Sequence, residues 1–367
     1  MALTLGITFH NSDDLNQLLG GNGLNQNVIL FYDLLTTMGH RVFMITQEKK
    51  SPFMEIEGRN YEIKTAQELI DQSVKFDIAF EAGLTLAQDE RMSFRQRCGA
   101  RIVSVRYGNS LFLDMEGLFV KQEMSSNCHV GKAEVTWISP HFEKSAYYME
   151  ALYQSPVELA PFIWEPWFTR KRFTPDDFGG KQKLVVMEPN TSVLKNALIP
   201  LVMINEVCRQ DPDLFDIALI LNGTHYCNEP HFLTNFAMNL PYVSSDHNKV
   251  TFSGRYRIYD VFDKPHVMVG CQHYNGLNYL YLEALYMGIP LVHNSPDFID
   301  VGYFYPEFDV RTGKKQIIRA LTEYDPAQAR AQNDLFLHRF SIVNPQVQAR
   351  YRQLIDQAMS IPLVTSI

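Results

Sequence analysis

The sequence predicts an α/β protein of two similar halves that face each other across a cleft, each a mostly parallel sheet covered by helices. Three observations predict this. The chain has 367 residues, more than one hydrophobic core usually organises. Short apolar runs alternate with helical patterns along nearly its whole length, the mark of parallel sheets with crossover helices. The alternation is interrupted once, by APFIWEPWFTRKRFTPDDFGGKQ at residues 160–182. Its prolines, glycine pair and clustered charge read as an interdomain linker.

The first half opens with a strand at residues 3–9, a helix at 24–38 and a strand at 41–46, a βαβ unit. Further strand-like runs lie at residues 76–80, 101–105, 134–138 and 157–161. The second half repeats the scheme with strands at 183–187, 216–221, 250–253 and 266–271. Helices are expected at 194–209 and after Pro230. Then comes NGLNYLYLEALYMGIPLVHN at 275–294: a helix to Met287, a stop at Gly288, and a buried strand from Pro290. The tail NPQVQARYRQLIDQ at 344–357 predicts a helix that crosses back to brace the first domain. The expected domains are therefore 1–165, 166–342 and a C-terminal helical segment at 343–367.

Composition narrows the function. A formal charge of -8 disfavours a polyanionic partner, because nucleic-acid binding rests on clustered Lys and Arg. Five cysteines without a close CxxC pair argue against a disulfide framework and for a reducing cytoplasm. The N-terminal MALTLGITFHNSDD is not expected to act as a signal peptide. No apolar run reaches the ~20 residues needed to span a bilayer, which leaves only transient membrane association open.

In parallel sheets, ligands bind beyond the C-terminal strand ends, often where a helix start aims its amides at an anion. Three places qualify. Gly20-Gly21-Asn22-Gly23 precedes the first helix and permits close backbone approach to a phosphate. Lys195, in EPNTSVLK at 188–195, falls at the expected start of a helix and reads either as a phosphate clamp or as a solvated lysine. In the third, Glu283 is the one charge in an apolar and aromatic helical run, beside Tyr279, Leu280, Tyr286 and Met287. Burying an unpaired carboxylate costs several kcal/mol, roughly, so Glu283 is expected to be exposed, paired or ligand-bound.

These residues resemble a family. Asn275-Gly276-Leu277 through Leu282-Glu283-Ala284-Leu285, followed by Gly288-Ile289-Pro290-Leu291-Val292, is similar to the nucleotide-sugar signature of retaining, family-4-like GT-B glycosyltransferases, including uncharacterised bacterial members. The GGNG stretch, MGHRVFMIT at 38–46 and FSG at 252–254 extend the resemblance over most of the chain. It implies two Rossmann-like domains facing across a cleft with the C-terminal helix crossing back. It also implies a nucleotide-diphosphate sugar as substrate, no cofactor and no metal. Glu283 would accept hydrogen bonds from the donor ribose, a role suited to a group with only acceptors to offer. Asn190, Asn275, Gly276, Leu277 and Asn278 fall in the donor-binding segments.

The chain departs from the family pattern at specific points. Asn275 stands where the signature has its first Glu, and Asn190 where the diphosphate clamp has an Arg five residues before Lys195. Arg255 or Arg257 is a candidate for the missing positive charge. Tyr107-Gly108-Asn109 replaces a familiar His-Gly. Lys195, Asn275 and His10, the last at the end of the first strand, are the candidates nearest the chemistry. Asp211-Pro212-Asp213 precedes a strand and reads as a turn instead of a metal site, while His141 and the group His225, Cys227 and His231 read as structural. The expected activity is metal-independent transfer of a sugar to an unknown acceptor in bacterial glycan synthesis. A sugar-nucleotide epimerase of the same architecture and a non-catalytic nucleotide-sugar-binding module are the alternatives.

Overall fold

A computed structural model describes residues 2–10, 23–49, 51–56, 58–121, 133–166, 169, 171–244 and 247–363. The chain forms two compact units, Met1–Glu165 with Arg339–Ile367, and Pro166–His338.

The first unit carries strands β1 (Thr4–Thr8), β2 (Arg41–Thr46), β3 (Phe53–Ile56), β4 (Arg59–Thr65), β5 (Ile78–Glu81), β6 (Arg101–Arg106), β7 (Val135–Ile138) and β8 (Val157–Leu159). They form one sheet in the order β3-β4-β2-β1-β5-β6-β7-β8, parallel throughout except for the β3–β4 hairpin. The inner strands are buried on both faces, every residue of β5 and β7 included, which is why they read as unbroken apolar runs. The hairpin escapes the sequence pattern because its edge strand is half exposed and mixes Phe, Met and Glu. Arg59 ties it to the helix Gly23–Thr37 through Asp33, with Nη1 2.6 Å from Oδ2.

That helix lays Val28, Ile29, Leu30 and Phe31 into the core, where the Phe31 ring meets Phe80 edge-on at 4.9 Å. The C-terminal helix Pro345–Ser360, capped by Asn344, belongs to this same unit. Its Tyr351 packs 5.7 Å from Phe31 and donates from its hydroxyl to the Pro161 carbonyl at 2.8 Å. Two buried ion pairs complete the unit: Arg91 grips Glu81 through Nε at 2.6 Å and Nη2 at 2.7 Å, and Arg95 grips Glu134 at 2.9 and 3.2 Å.

The second unit holds β9 (Leu184–Val186), β10 (Ala218–Ile220), β11 (Val250–Phe252), β12 (Val267–Val269), β13 (Leu291–His293) and β14 (Tyr303–Phe304). The order is β11-β10-β9-β12-β13-β14, all pairs parallel. Counted within the unit this is 3-2-1-4-5-6, the doubly wound dinucleotide-binding order, whose direction reverses between β9 and β12. Leu184, Val186, Leu201, Ile204, Val207, Val267 and Val292 form its core.

Two helices differ from the sequence expectation. The one expected from Leu194 runs from Leu198 to Gln210. Pro200 explains the shift, because proline is tolerated in a first helical turn and breaks a helix interior. The helix expected after Pro230 is present but irregular: it widens to a π-helical turn over Phe232–Phe236 and tightens to a 3-10 turn over Ala237–Asn239.

Candidate functional site

The reversal of strand order in the second unit places the ends of β9 and β12 side by side, and the loops that follow them meet there. Past β9 come Met187, Glu188 and Asn190; past β12 comes the stretch Gly270–Asn278, leading into the helix Tyr279–Met287. Asn278 caps that helix by accepting from the Leu280 amide at 3.1 Å, and Gly288 ends it in the left-handed conformation at φ 79°. Leu277 lies in the core.

Glu188 is the centre of the arrangement and is 1% exposed. Its Oε1 accepts from the Cys271 amide at 3.1 Å and the Tyr281 hydroxyl at 3.2 Å, and its Oε2 from Gln272 Nε2 at 3.2 Å. Burial pushes its pKa up to about 7, against the opposing pull of the Lys195 charge and these three donors. Gln272 Oε1 accepts in turn from Asn275 Nδ2 at 2.7 Å. Asn294, at the end of β13, clamps the Gln272 backbone from both sides, accepting its amide at 2.8 Å and donating to its carbonyl at 2.9 Å. Tyr305 donates to the Gly270 carbonyl at 2.8 Å. Side chains from three strand ends thus hold one loop.

Gly270 has no room for a side chain. A Cβ there would fall 2.1 Å from the hydroxyl of the fully buried Tyr281. Gly270→Ala is expected to lower stability by about 1–3 kcal/mol, the usual cost of overpacking. Urea unfolding checks this, and an unchanged midpoint would mean that Tyr281 yields freely.

Lys195 is partly buried, and burial lowers its pKa while Glu188 raises it. It does not open a helix as the sequence suggested; it lies three residues before one, in a segment bridged to Ser192 and to Gln272. Its backbone is instead fixed against the loop that carries Gln272, to which Asn275 is tied through its side chain.

Other expected site residues have structural tasks. Asn190, at φ 58°, donates from Nδ2 to the Leu221 carbonyl at 2.8 Å and accepts through Oδ1 from the Ala197 amide at 2.7 Å. Its side chain joins a strand end to a helix start and is taken up by the fold. Gly276 does not open a space for ligand: a Cβ would fall 1.8 Å from Asp297 Oδ2, so the carboxylate already occupies that side. Arg257 is paired with Asp260 through Nε at 2.8 Å and Nη2 at 3.2 Å, whereas Arg255 is exposed. Glu283 is partly buried on the helix Tyr279–Met287.

In the first unit, His10 follows β1 and is exposed, and Gly23 opens the first helix. Gly20, Gly21 and Asn22 lie outside the described residues. Asp211 accepts from the Asp213 amide at 2.9 Å, a turn. Among the described residues no three His, Cys, Asp or Glu side chains gather as a metal-holding group, and no helix is long and apolar enough to cross a membrane.

Sequence reasoning missed Glu188, Gln272 and Tyr281. The available signal was a carboxylate directly after the apolar run Leu184-Val185-Val186-Met187, a place where a buried charge demands partners.

A family model of proteins of unknown function, DUF2827, matches residues 5–355. The chain belongs to the DUF2827 family. A search of curated proteins found no match. Among solved structures, this DUF2827 chain is similar to an α-glucosyltransferase in complex with UDP-glucose and DNA containing an abasic site, with TM-score 0.61, 12% identity, and 97% of this chain and 100% of that one covered. It is also similar to trehalose-6-phosphate synthase OtsA, with TM-score 0.61, 10% identity and 96% and 99% coverage. A third similarity is to the pneumococcal O-GlcNAc transferase GtfA in complex with UDP and GlcNAc, with TM-score 0.56, 8% identity and 98% and 99% coverage. At these identities the likeness establishes the fold of the DUF2827 protein: it is the GT-B fold, with two Rossmann-like domains.

Proposed function

We propose that this DUF2827 protein is a glycosyltransferase that takes a nucleotide-diphosphate sugar at the strand ends of its second unit and transfers the sugar, without a metal, to an acceptor held by the first unit. The observation that carries the reading is the cluster at the β9–β12 reversal, where Lys195 and Asn275 lie beside one fixed loop. Ligands of doubly wound sheets bind at that position. The fold supports the reading as well, since similar structures include transferases in complex with UDP-glucose and with UDP and GlcNAc.

In the proposed reaction the diphosphate leaves, and a preorganised cation is the most effective means of stabilising its growing charge. Lys195 is the candidate for that task, and its partial burial strengthens its field by excluding water. Glu283 would accept from the ribose hydroxyls, as the family signature implies. Uracil nucleotides are the first donors to test, on the strength of the two transferase complexes.

A thermal-shift screen of nucleosides, nucleoside diphosphates and nucleotide sugars, followed by assay of donor hydrolysis and of transfer to candidate acceptors, tests the proposal. Binding of a nucleotide sugar with slow hydrolysis is the expected result. Failure of every nucleotide to raise the melting temperature would sink it.

Glu283→Ala is expected to weaken nucleotide binding by about 1.5–3 kcal/mol, the worth of charged hydrogen bonds, or roughly ten- to hundredfold, without loss of fold. Calorimetry that returns wild-type affinity for this variant would place Glu283 outside the site.

A further inference from the structure

The hydrogen bonds that join Glu188 to Asn275 have a direction. An ionised carboxylate only accepts, so Gln272 must turn its –NH2 toward Glu188, where Nε2 lies 3.2 Å from Oε2. Its Oε1 then points away and accepts from Asn275 Nδ2 at 2.7 Å. This in turn leaves Asn275 Oδ1 directed out of the chain of bonds. Asn275 is 8% exposed, and its Oδ1 has no partner among the described residues. Oδ1 is not among the buried side-chain atoms left without a partner, so it keeps contact with solvent and is open to a donor from a ligand.

We propose that Glu188 is a positioning residue: through Gln272 it fixes the amide of Asn275 so that a carbonyl oxygen, not an –NH2, is presented to a hydroxyl of the donor's sugar. The proposal rests on the donor-site reading given above. It gives a reason for a carboxylate 1% exposed in the second unit's core, which packing alone would disfavour. It also lets an asparagine do the work of an acceptor where the family signature carries a glutamate.

Reversing the relay tests this. In Glu188→Gln the new amide keeps an oxygen for Cys271 and Tyr281 but turns an –NH2 toward Gln272. Gln272 must flip, Asn275 must flip after it, and a donor is presented where an acceptor stood. In Asn275→Asp the single –NH2 of Gln272 faces carboxylates on both sides and can satisfy only one. The double variant E188Q/N275D restores a consistent chain in the opposite sense, in which the introduced carboxylate accepts from Gln272 and presents its other oxygen.

Two readouts at pH 8, above the value of about 7 to which burial raises Glu188, decide the matter. The first needs no ligand: each single variant should lower the melting temperature relative to the double, and additive effects would overturn the relay. The second is affinity for UDP-glucose and UDP-N-acetylglucosamine relative to UDP. Glu188→Gln should lose about tenfold in sugar-nucleotide affinity with UDP binding kept within about twofold, and the double variant, which presents an acceptor again, should recover most of the loss. Coupled melting with unchanged sugar-nucleotide affinities would confine the relay to packing and overturn its role in presentation. Wild-type protein that binds no nucleoside diphosphate and no nucleotide sugar of any base would remove the donor-site reading itself, whichever way the melting data fall.

Discussion

Lys195→Ala is expected to cut affinity for nucleoside diphosphates and nucleotide sugars at least tenfold while leaving uncharged nucleosides within about twofold of wild type. Removing one partner of a desolvated charge pair costs about 2–5 kcal/mol, and Lys195 is the cation that the structure seats against the Gln272 loop. A nucleoside carries no anion and should not register the loss. The variant should also leave Glu188 easier to protonate, since the Lys195 charge is the largest influence holding that carboxyl down. Calorimetry with uridine, UDP and UDP-glucose checks the pattern. Equal losses for all three would mean that the bridged segment had been disturbed. No loss for any would hand the anion to Arg255 or to backbone amides, which Arg255→Ala then separates.

The second large effect concerns the first unit and is one of stability. Arg95→Ala should destabilise the protein by about 3–5 kcal/mol, because it leaves Glu134 charged and buried without its bidentate partner. Glu134 is 2% exposed and also accepts from the Ile102 amide at 2.7 Å, so it cannot swing out to water without breaking that strand-end contact. Chemical denaturation that follows each unit by its own probe checks this. A midpoint unchanged for the first unit would show that water reaches Glu134. Replacing both members by apolar residues of similar volume should cost far less than the single truncation, since no charge is then left buried.

Some of this protein was legible residue by residue. The run Arg41–Thr46 forms a strand with the bounds its apolar pattern gave. Asn278, Gly288, Asn344 and Pro345 mark the ends of helices by capping chemistry that acts within a few residues. Where the pattern misled, a tertiary contact or a single proline had intervened. The segment before Leu198 looks helical by composition, but its backbone is bridged to Gln272 and Pro200 admits only a helix start behind it. The β3–β4 hairpin was invisible because an edge strand need not be apolar on either face.

The candidate site shows the same division more sharply. Sequence by itself determined the repeated α/β alternation, the return of the C-terminal helix, and the placing of Lys195 and Asn275 in loops beyond strands and of Glu283 on a helix, because periodicity and turn chemistry are local properties. Only the tertiary structure decided which of them share a site and in what state. Gln272 and Glu188 are 84 positions apart and meet because the sheet order sets β12 beside β9. Nothing local in either strand specifies that pairing. The same closure takes up both polar atoms of Asn190 and buries Glu188 among three donors. A residue's chemistry is written in the chain, but its solvation and its partners come from strand order, and those two decide whether a polar side chain holds the fold or faces a ligand.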